Sequence, residues 1–190
     1  PCSAMRVNFV GELGWELHHP IEYQNHIFDQ LMEAGKEFGL KPYGIRAMNS
    51  LRVEKSYKLV GTELSIEYSP YESGLDRFVH PNKGDFIGRA ALDKWRAKGF
   101  SNKLVTMEIH GVTDADVLGN NPIYDNGSVV GRATSGDFGF RLNKSIALGM
   151  VKPELAKVGQ KLKIDILGKM HEASIVEESP YDSENKLLRA

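Results

Sequence analysis

The sequence predicts an α+β protein, in which a strand hairpin and helices come first and a small antiparallel barrel or sandwich follows. Three observations support this prediction: a strand–turn–strand pattern at residues 6–17, apolar residues at helical spacing after it, and two-residue alternation from Lys103 onwards. The pattern changes near residue 101. We therefore predict two domains, residues 1–100 and residues 101–190.

The hairpin is the stretch RVNFVGELGWEL, in which Val7 and Phe9 alternate before a glycine-rich turn and Trp15 and Leu17 resume the alternation after it. If Trp15 and Leu17 are buried, Glu16 points away from them. A carboxylate on a strand can accept two parallel N–H bonds from a flat heterocycle with an amidine-like edge, such as a pterin. The pattern alone favours a plainer interpretation, in which Glu16 lies on the solvated face of a half-buried strand.

The first helix is predicted to begin near Pro20 and Glu22 and to end at Gly39. Apolar residues recur along it at three- and four-residue spacing, which predicts one stripe packed against the core. The stripe consists of Tyr23, Ile27, Phe28, Leu31, Met32 and Phe38.

Two further helices are predicted. In the second, Ile45–Ser56, the spacing directs three residues to the core and four to another face. The core residues are Ile45, Met48 and Leu51, and the other face holds Arg46, Asn49, Ser50 and Val53. After a short extended stretch at 75–79, the third helix begins with Asp85 as its N-cap and ends at Gly99.

The strands of the second domain are predicted from alternation and from turn signals. Val105, Met107 and Ile109 share one face of a strand, and Asn126-Gly127 is a strong hairpin signal that joins 122–124 to 129–132. Further strands are predicted at 144–151, 160–167 and 171–176. Five or six short antiparallel strands favour a small barrel or sandwich.

Charge and composition argue against several classes of protein. The 24 basic and 25 acidic residues are spread along the chain, so we expect neither nucleic acid nor a membrane as a partner. The single Cys2 excludes an internal disulfide framework and suits a reducing compartment, the cytoplasm or alternatively the mitochondrial matrix. His18 and His19 would lie on opposite faces of a strand, and the other histidines are isolated, so no metal site is predicted.

RVNFVGELGWEL resembles the strand–turn–strand motif of the glycine-cleavage T-protein (aminomethyltransferase) superfamily, and is most similar to the C-terminal folate module of dimethylglycine and sarcosine dehydrogenases. The similarity continues in order to the end of the chain. The family-like segments are GIRAMNSLRVEKSY (44–57), SGLDRFVHPNKGDFIGRAAL (73–92), GNNPIYDNGSVVGRATSG (119–136), KSIALGMV (144–151) and SPYDSENKLLRA (179–190).

The resemblance implies the C-terminal part of an aminomethyltransferase folate-binding domain, followed by the family's β-barrel. It implies tetrahydrofolate as the cofactor, with Glu16 on the pterin edge, Arg46 in contact with the folate and Tyr181 lining the folate cleft. Thr134-Ser135-Gly136 would help to dock the barrel against the folate domain. The family's catalytic aspartate would lie upstream, so we expect no catalytic residue in this chain and little activity from it alone.

The resemblance also implies partners. A small methylated amine or another aminomethyl donor would supply the one-carbon unit, and a missing N-terminal part or a lipoyl carrier protein would complete the system. The chain contains no G-x-G-x-x-G fingerprint, so FAD would bind only in a missing N-terminal half.

Several alternatives stay open. The chain could come from a true glycine-cleavage T-protein, or from a folate-dependent demethylase of a methylated sulfur compound. Folate-dependent tRNA-modification relatives carry a cysteine where this chain has Asp85, which argues against that branch. In a non-catalytic binding module, Glu16 and Arg46 would form ordinary salt bridges and Tyr181 would anchor the tail.

Overall fold

The computed structural model describes residues 2–112 and 114–190, and in them eight strands and three α-helices are joined by short 3₁₀ turns. The N-terminal elements are β1 (Ser3–Met5), β2 (Glu16–His18), α1 (Gln24–Ala34), α2 (Ile45–Val53) and α3 (Arg89–Lys98). The later strands are β3 (Lys103–Ile109), β4 (Pro122–Asp125), β5 (Ser128–Gly139), β6 (Lys144–Val151), β7 (Lys161–Ile166) and β8 (Lys169–Val176).

The last six strands close into an antiparallel barrel in the order β3-β6-β5-β4-β7-β8. Because β3 pairs with both β6 and β8, the sheet has no free edge at this seam. Alternate side chains fill the interior, and Met107, Ile123 and Ile164 are completely buried there. The α+β prediction and the antiparallel barrel are therefore confirmed.

The hairpin between β4 and β5 forms where the sequence predicted it. Asn126 and Gly127 both have positive φ, 47° and 80°, as a two-residue turn of the primed type requires. The strand that follows runs to Gly139, well beyond the predicted end at residue 132. A bulge between Ala133 and Ser135 bends β5 in this extra length.

The second helix packs across the far end of β5 through polar side chains. Ser50 Oγ donates to the carbonyl of Phe138, and Asn49 Nδ2 donates to an Asp137 carboxylate oxygen at 2.7 Å. The predicted core face of α2 was wrong in part. Ile45 is 76% exposed and Met48 and Leu51 are only half-buried, whereas Ser50 and Val53 of the other predicted face are buried. The surface that receives α2 consists of strand carbonyls and carboxylates, so the helix presents hydrogen-bond donors to it.

A buried ion pair fixes the turn after α2. The Arg52 guanidinium is 3.5 Å from a Glu63 carboxylate oxygen and also donates to the carbonyl of Tyr57 at 2.9 Å. Glu63 is completely buried and accepts hydrogen bonds from the Leu59 N–H and from Ser135 Oγ. Since Ser135 belongs to the TSG segment, the expected docking role of that segment agrees with these contacts.

The N-terminal hairpin differs from the prediction. Met5 pairs with Glu16, so Val7 and Phe9 lie in the connection rather than in a strand. The prediction that Trp15 and Leu17 are buried was also wrong, because 60% of Trp15 is exposed and Leu17 is exposed too. Nothing among the described residues covers this face.

Helix α1 forms between short 3₁₀ turns, and Gly39 ends the segment with φ 70° as predicted. The predicted packing of its apolar stripe was wrong: α1 has no buried residue, and Phe28, Leu31 and Phe38 are exposed. The core of the described chain lies in the barrel, whereas α1 packs mainly against the 3₁₀ turns that flank it.

Smaller corrections concern the segment before the barrel. Residues 76–78 form a 3₁₀ turn rather than an extended stretch. Helix α3 begins at Arg89 with Gly88 as its N-cap, so the predicted cap at Asp85 was wrong. The Asp85 carboxylate instead lies 3.2 Å from the Arg89 guanidinium. The predicted end of α3 at Gly99 is confirmed. Among the residues described, no helix combines the length and hydropathy needed to cross a bilayer.

The buried Glu63 predicts a specific dependence of stability on pH. Burial pushes the pKa of Glu63 up, but hydrogen bonds from Ser135, the Leu59 N–H and Thr62 outweigh it and hold the pKa below its usual value. A depressed folded-state pKa contributes stability above the unfolded pKa of about 4.3, and this contribution is lost as the pH falls through the folded value.

We therefore expect Glu63→Gln to lower the free energy of unfolding at pH 7 by roughly 3 kcal/mol, because Arg52 loses its buried partner. Below about pH 4.5 the deficit should shrink. Urea unfolding between pH 7 and pH 3 measures both effects. Glu37→Gln, on an exposed turn, is the control and should keep the wild-type profile. A deficit that is constant with pH would contradict the assignment.

Candidate functional site

Three segments that are distant in sequence meet at the end of β5: the connection between β1 and β2, the end of α2, and the tail after β8. Arg141, just beyond β5, joins them. Its Nε donates to Glu54, its Nη1 donates to Glu12 at 2.8 Å, and its Nη2 donates to the carbonyl of Leu51 at 2.7 Å. We call Glu12, Glu54, Arg141 and Tyr181 the Arg141 cluster.

Tyr181 completes the Arg141 cluster from the tail. Its hydroxyl donates to Glu12 at 2.7 Å, and its ring centroid lies 3.7 Å from the guanidinium carbon of Arg141. Its N–H donates to the carbonyl of Glu54 at 3.0 Å. Tyr181 thus attaches the tail both to Glu54 at the end of α2 and to Arg141 just beyond β5.

The charges of the cluster are set by these contacts. Burial lowers the pKa of Arg141, but the hydrogen bond and the charge of Glu54 raise it by more, so the guanidinium stays charged. The hydrogen bond to Glu12 and burial raise the pKa of Tyr181, so its hydroxyl stays a donor. The cluster therefore holds one cation between two carboxylates.

Lys55 ties the tail to the same place. Its buried Nζ donates to the carbonyls of Tyr181 and Asp182 at 3.0 and 2.8 Å, and to Asn185 Oδ1 at 2.8 Å. Gly11, with φ 76°, lies so close that an added Cβ would be 2.3 Å from Lys55 Cγ. Only glycine satisfies both the positive φ and this close approach.

A groove of about 730 Å³ opens beside Lys55. Phe9 and Tyr57 stack in its wall with ring centroids 6.1 Å apart. Lys58, Arg77 and Arg189 also line it, together with the carboxylate of Glu178. Stacked aromatic rings among cationic side chains suit a flat ligand that carries negative charge.

None of the three sequence-predicted residues, Glu16, Arg46 and Tyr181, lines this groove, and they make no hydrogen bond or ion pair with one another. Glu16 is half exposed on β2, and its carboxylate is 3.2 Å from Nε2 of His18. Arg46 is exposed in the first turn of α2 and makes no hydrogen bond or ion pair with any residue the structure describes. Tyr181 lies in the Arg141 cluster, where its contacts fit both the folate cleft and the alternative role of tail anchor. The roles of all three stay predictions.

Sequence reasoning missed Glu12, Glu54, Lys55 and Arg141. A usable signal existed for two of them, because Glu54 and Lys55 follow Val53 at the end of an otherwise amphipathic helix, where charged residues interrupt the buried face. No local signal marked Glu12 or Arg141, whose partners lie between 87 and 169 residues away in sequence.

Comparison with known proteins gives two family matches. The model of the GCVT N-terminal domain matches residues 1–83, and that of the glycine cleavage T-protein C-terminal barrel domain matches residues 102–182. The predicted division at residue 101 is not tested by these matches and stays a prediction.

Among curated relatives, the mitochondrial dimethylglycine dehydrogenase of Homo sapiens is 41% identical over 94% of this chain, which corresponds to 21% of the relative. An aminomethyltransferase of Desulfitobacterium hafniense is 36% identical over 92% of the chain and 47% of its own length. The chain thus spans about a fifth of the dehydrogenase and about half of the aminomethyltransferase.

The crystal structure of glycine cleavage system aminomethyltransferase T from Bartonella henselae superposes with a TM-score of 0.85, covering 95% of this chain and 50% of that one at 24% identity. At this identity the likeness shows the fold alone. The two family models together match most of the chain, and the barrel domain follows the other domain in them as it does in the structure. This chain therefore belongs to the glycine-cleavage T-protein family.

Proposed function

We propose that this chain forms the tetrahydrofolate-binding part of a one-carbon transferase. The observation that carries the proposal is the position of the groove. It lies where the segment matched by the GCVT N-terminal domain meets the tail behind the barrel, next to the Arg141 cluster. Relatives named aminomethyltransferase and dimethylglycine dehydrogenase support the reaction class.

The residues present suit such a ligand. A pterin offers an amidine-like edge to carboxylates and flat faces to aromatic rings, and its glutamate tail offers carboxylates to cations. Glu16 accepts from the pterin edge in this proposal. The exposed Arg46 directs its unused guanidinium donors to the cofactor, and Tyr181 lines the cleft.

When bound, tetrahydrofolate supplies N5, which accepts a one-carbon unit from an iminium or aminomethyl donor to give 5,10-methylenetetrahydrofolate and the free amine. The contribution of this chain is placement of charge and orientation of the ligand. In this proposal Glu16 fixes the pterin edge and Arg46 helps to orient the cofactor from outside the groove, and the Arg141 cluster keeps Tyr181 in position.

In our proposal, transfer of the one-carbon unit also requires parts of the protein that lie outside this chain. The chain spans a fifth to a half of its relatives, and the apolar side chains of Trp15, Phe28 and Phe38 are exposed. We propose that an N-terminal part covers this face, supplies a catalytic carboxylate and, in a dehydrogenase, carries FAD. In an aminomethyltransferase, a lipoyl carrier protein would deliver the donor. The isolated chain should then bind folate but transfer little.

The first test is titration of tetrahydrofolate into the chain by calorimetry. We expect saturable binding that weakens at least about tenfold, or 1.4 kcal/mol, in Glu16→Ala, because the pterin edge loses its acceptor. Glu22→Ala, a nearby exposed carboxylate, is the matched control and should bind like the wild type. Equal binding by Glu16→Ala would reject the role of Glu16, and absence of binding would reject the folate proposal for this chain.

A second test separates the two roles of Tyr181. Tyr181→Phe keeps the ring and removes the hydrogen bond to Glu12, so it should cost about 1 kcal/mol of stability and leave folate affinity within a fewfold of the wild type. Tyr181→Ala should weaken folate binding about tenfold, since it also removes the aromatic face. Unchanged affinity in a folded Tyr181→Ala protein would leave Tyr181 as a tail anchor only. Tyr43→Ala, at an exposed ring, is the control.

A further inference from the structure

One end of the barrel is open on its interior side, where β3 and β5 end and β6 begins. In the strand register Ser145 pairs with Ile109 on one side and with Phe138 on the other. Two residues further along β6, Ala147 is completely buried in the barrel core. Side chains two apart on a strand share a face, so Ser145 also faces the interior.

The hydroxyl of Ser145 has no hydrogen-bond partner among the described residues, although only 5% of the residue is exposed. Buried polar groups in native proteins are nearly always paired, and an unpaired one points to a group that binds there. Its neighbours across the sheet, Ile109 and Phe138, offer no side-chain acceptor.

A cavity of about 420 Å³ lies over this hydroxyl. Phe138 and Phe140 form one wall, with their rings edge to face and their centroids 5.0 Å apart. Val112 and Ala115, which pack against the barrel core, form the other wall. Barrel mouths are common places for small-ligand sites, and this one combines apolar walls with a single inward hydroxyl.

The rim of the cavity is acidic. Asp114 and Asp116 line it, and Asp137 is close enough to Asp116 to act on its charge. Burial and the charge of Asp137 raise the pKa of Asp116, and the charge of Arg46 and a hydrogen bond from the N–H of Phe138 oppose them only in part. Negative charge therefore exceeds positive charge at the rim, and a bound cation would further stabilise the ionised Asp116.

We propose that this barrel mouth binds a small organic ammonium ion that donates an N–H to Ser145 Oγ, with its alkyl groups between Phe138 and Phe140 and its charge towards Asp116. An anion would be repelled by the two rim carboxylates. A wholly apolar ligand would leave Arg46 as the only nearby cation for Asp116, whereas aromatic faces attract cations. None of the residues that line this cavity lines the groove beside Lys55, so the proposal goes beyond the proposed function. The two share only Arg46, which acts on the charge of Asp116.

The test is an NMR titration of the ¹⁵N-labelled chain with trimethylammonium chloride at neutral pH and constant ionic strength. We expect saturable shifts of the amides at 109–112, 114–116 and 138–145. The neutral tert-butanol has a similar size and should bind at least about tenfold more weakly, because it lacks the charge that Asp116 attracts. Equal affinity for the two probes, or shifts centred elsewhere, would overturn the proposal.

Two variants locate the interaction. Asp116→Asn should weaken trimethylammonium binding at least about fivefold. Phe140→Leu should weaken it too, and its side chain is 76% exposed, so the fold should tolerate the change. Asp29→Asn, an exposed carboxylate on α1, is the matched control and should bind like the wild type. If both mouth variants remain folded and bind with unchanged affinity, the site is not the barrel mouth.

Discussion

The contact between Glu54 and Arg141 is the constraint on which the rest of the structure depends. Glu54 is completely buried, and its carboxylate accepts from the side chain and the N–H of Arg141 and from the N–H of Leu142. A buried carboxylate is tolerated only when it is paired and hydrogen-bonded. Helix α2, the end of β5, the β1–β2 connection and the tail all meet around this pair, so its geometry determines theirs.

Polar contacts, rather than an apolar seam, join α2 to the barrel. The buried side chains along and after α2 include Ser50, Arg52, Glu54 and Lys55, while Trp15 and Phe28 are exposed. Hydrogen bonds to fixed acceptors depend on direction, whereas apolar packing tolerates small displacements of a helix along its neighbour. The helix is therefore held in one register against the strand, and the groove beside Lys55 has defined walls.

What the sequence could predict was local. The barrel strands follow from alternation, and the Asn126-Gly127 turn follows from two adjacent residues whose φ is positive. The buried face of α2 could not be predicted, because its partner is a strand almost ninety residues away whose carbonyls accept from Ser50 and Asn49. The same holds for Glu12 and Tyr181, which meet across 169 positions. Sequence periodicity shows which residues share one face of a helix or strand, but it does not show which element packs against that face.

The attachment of the tail by Lys55 has a consequence for biosynthesis. The ammonium group of Lys55 is buried, and its acceptors, the carbonyls of Tyr181 and Asp182 and the amide of Asn185, come after the last barrel strand. A nascent chain could close the barrel once Val176 has emerged from the ribosome, yet Lys55 would still lack its acceptors. Domains generally fold in order of synthesis. The contacts of Lys55 with the tail can therefore form only after all of the barrel strands have been synthesised.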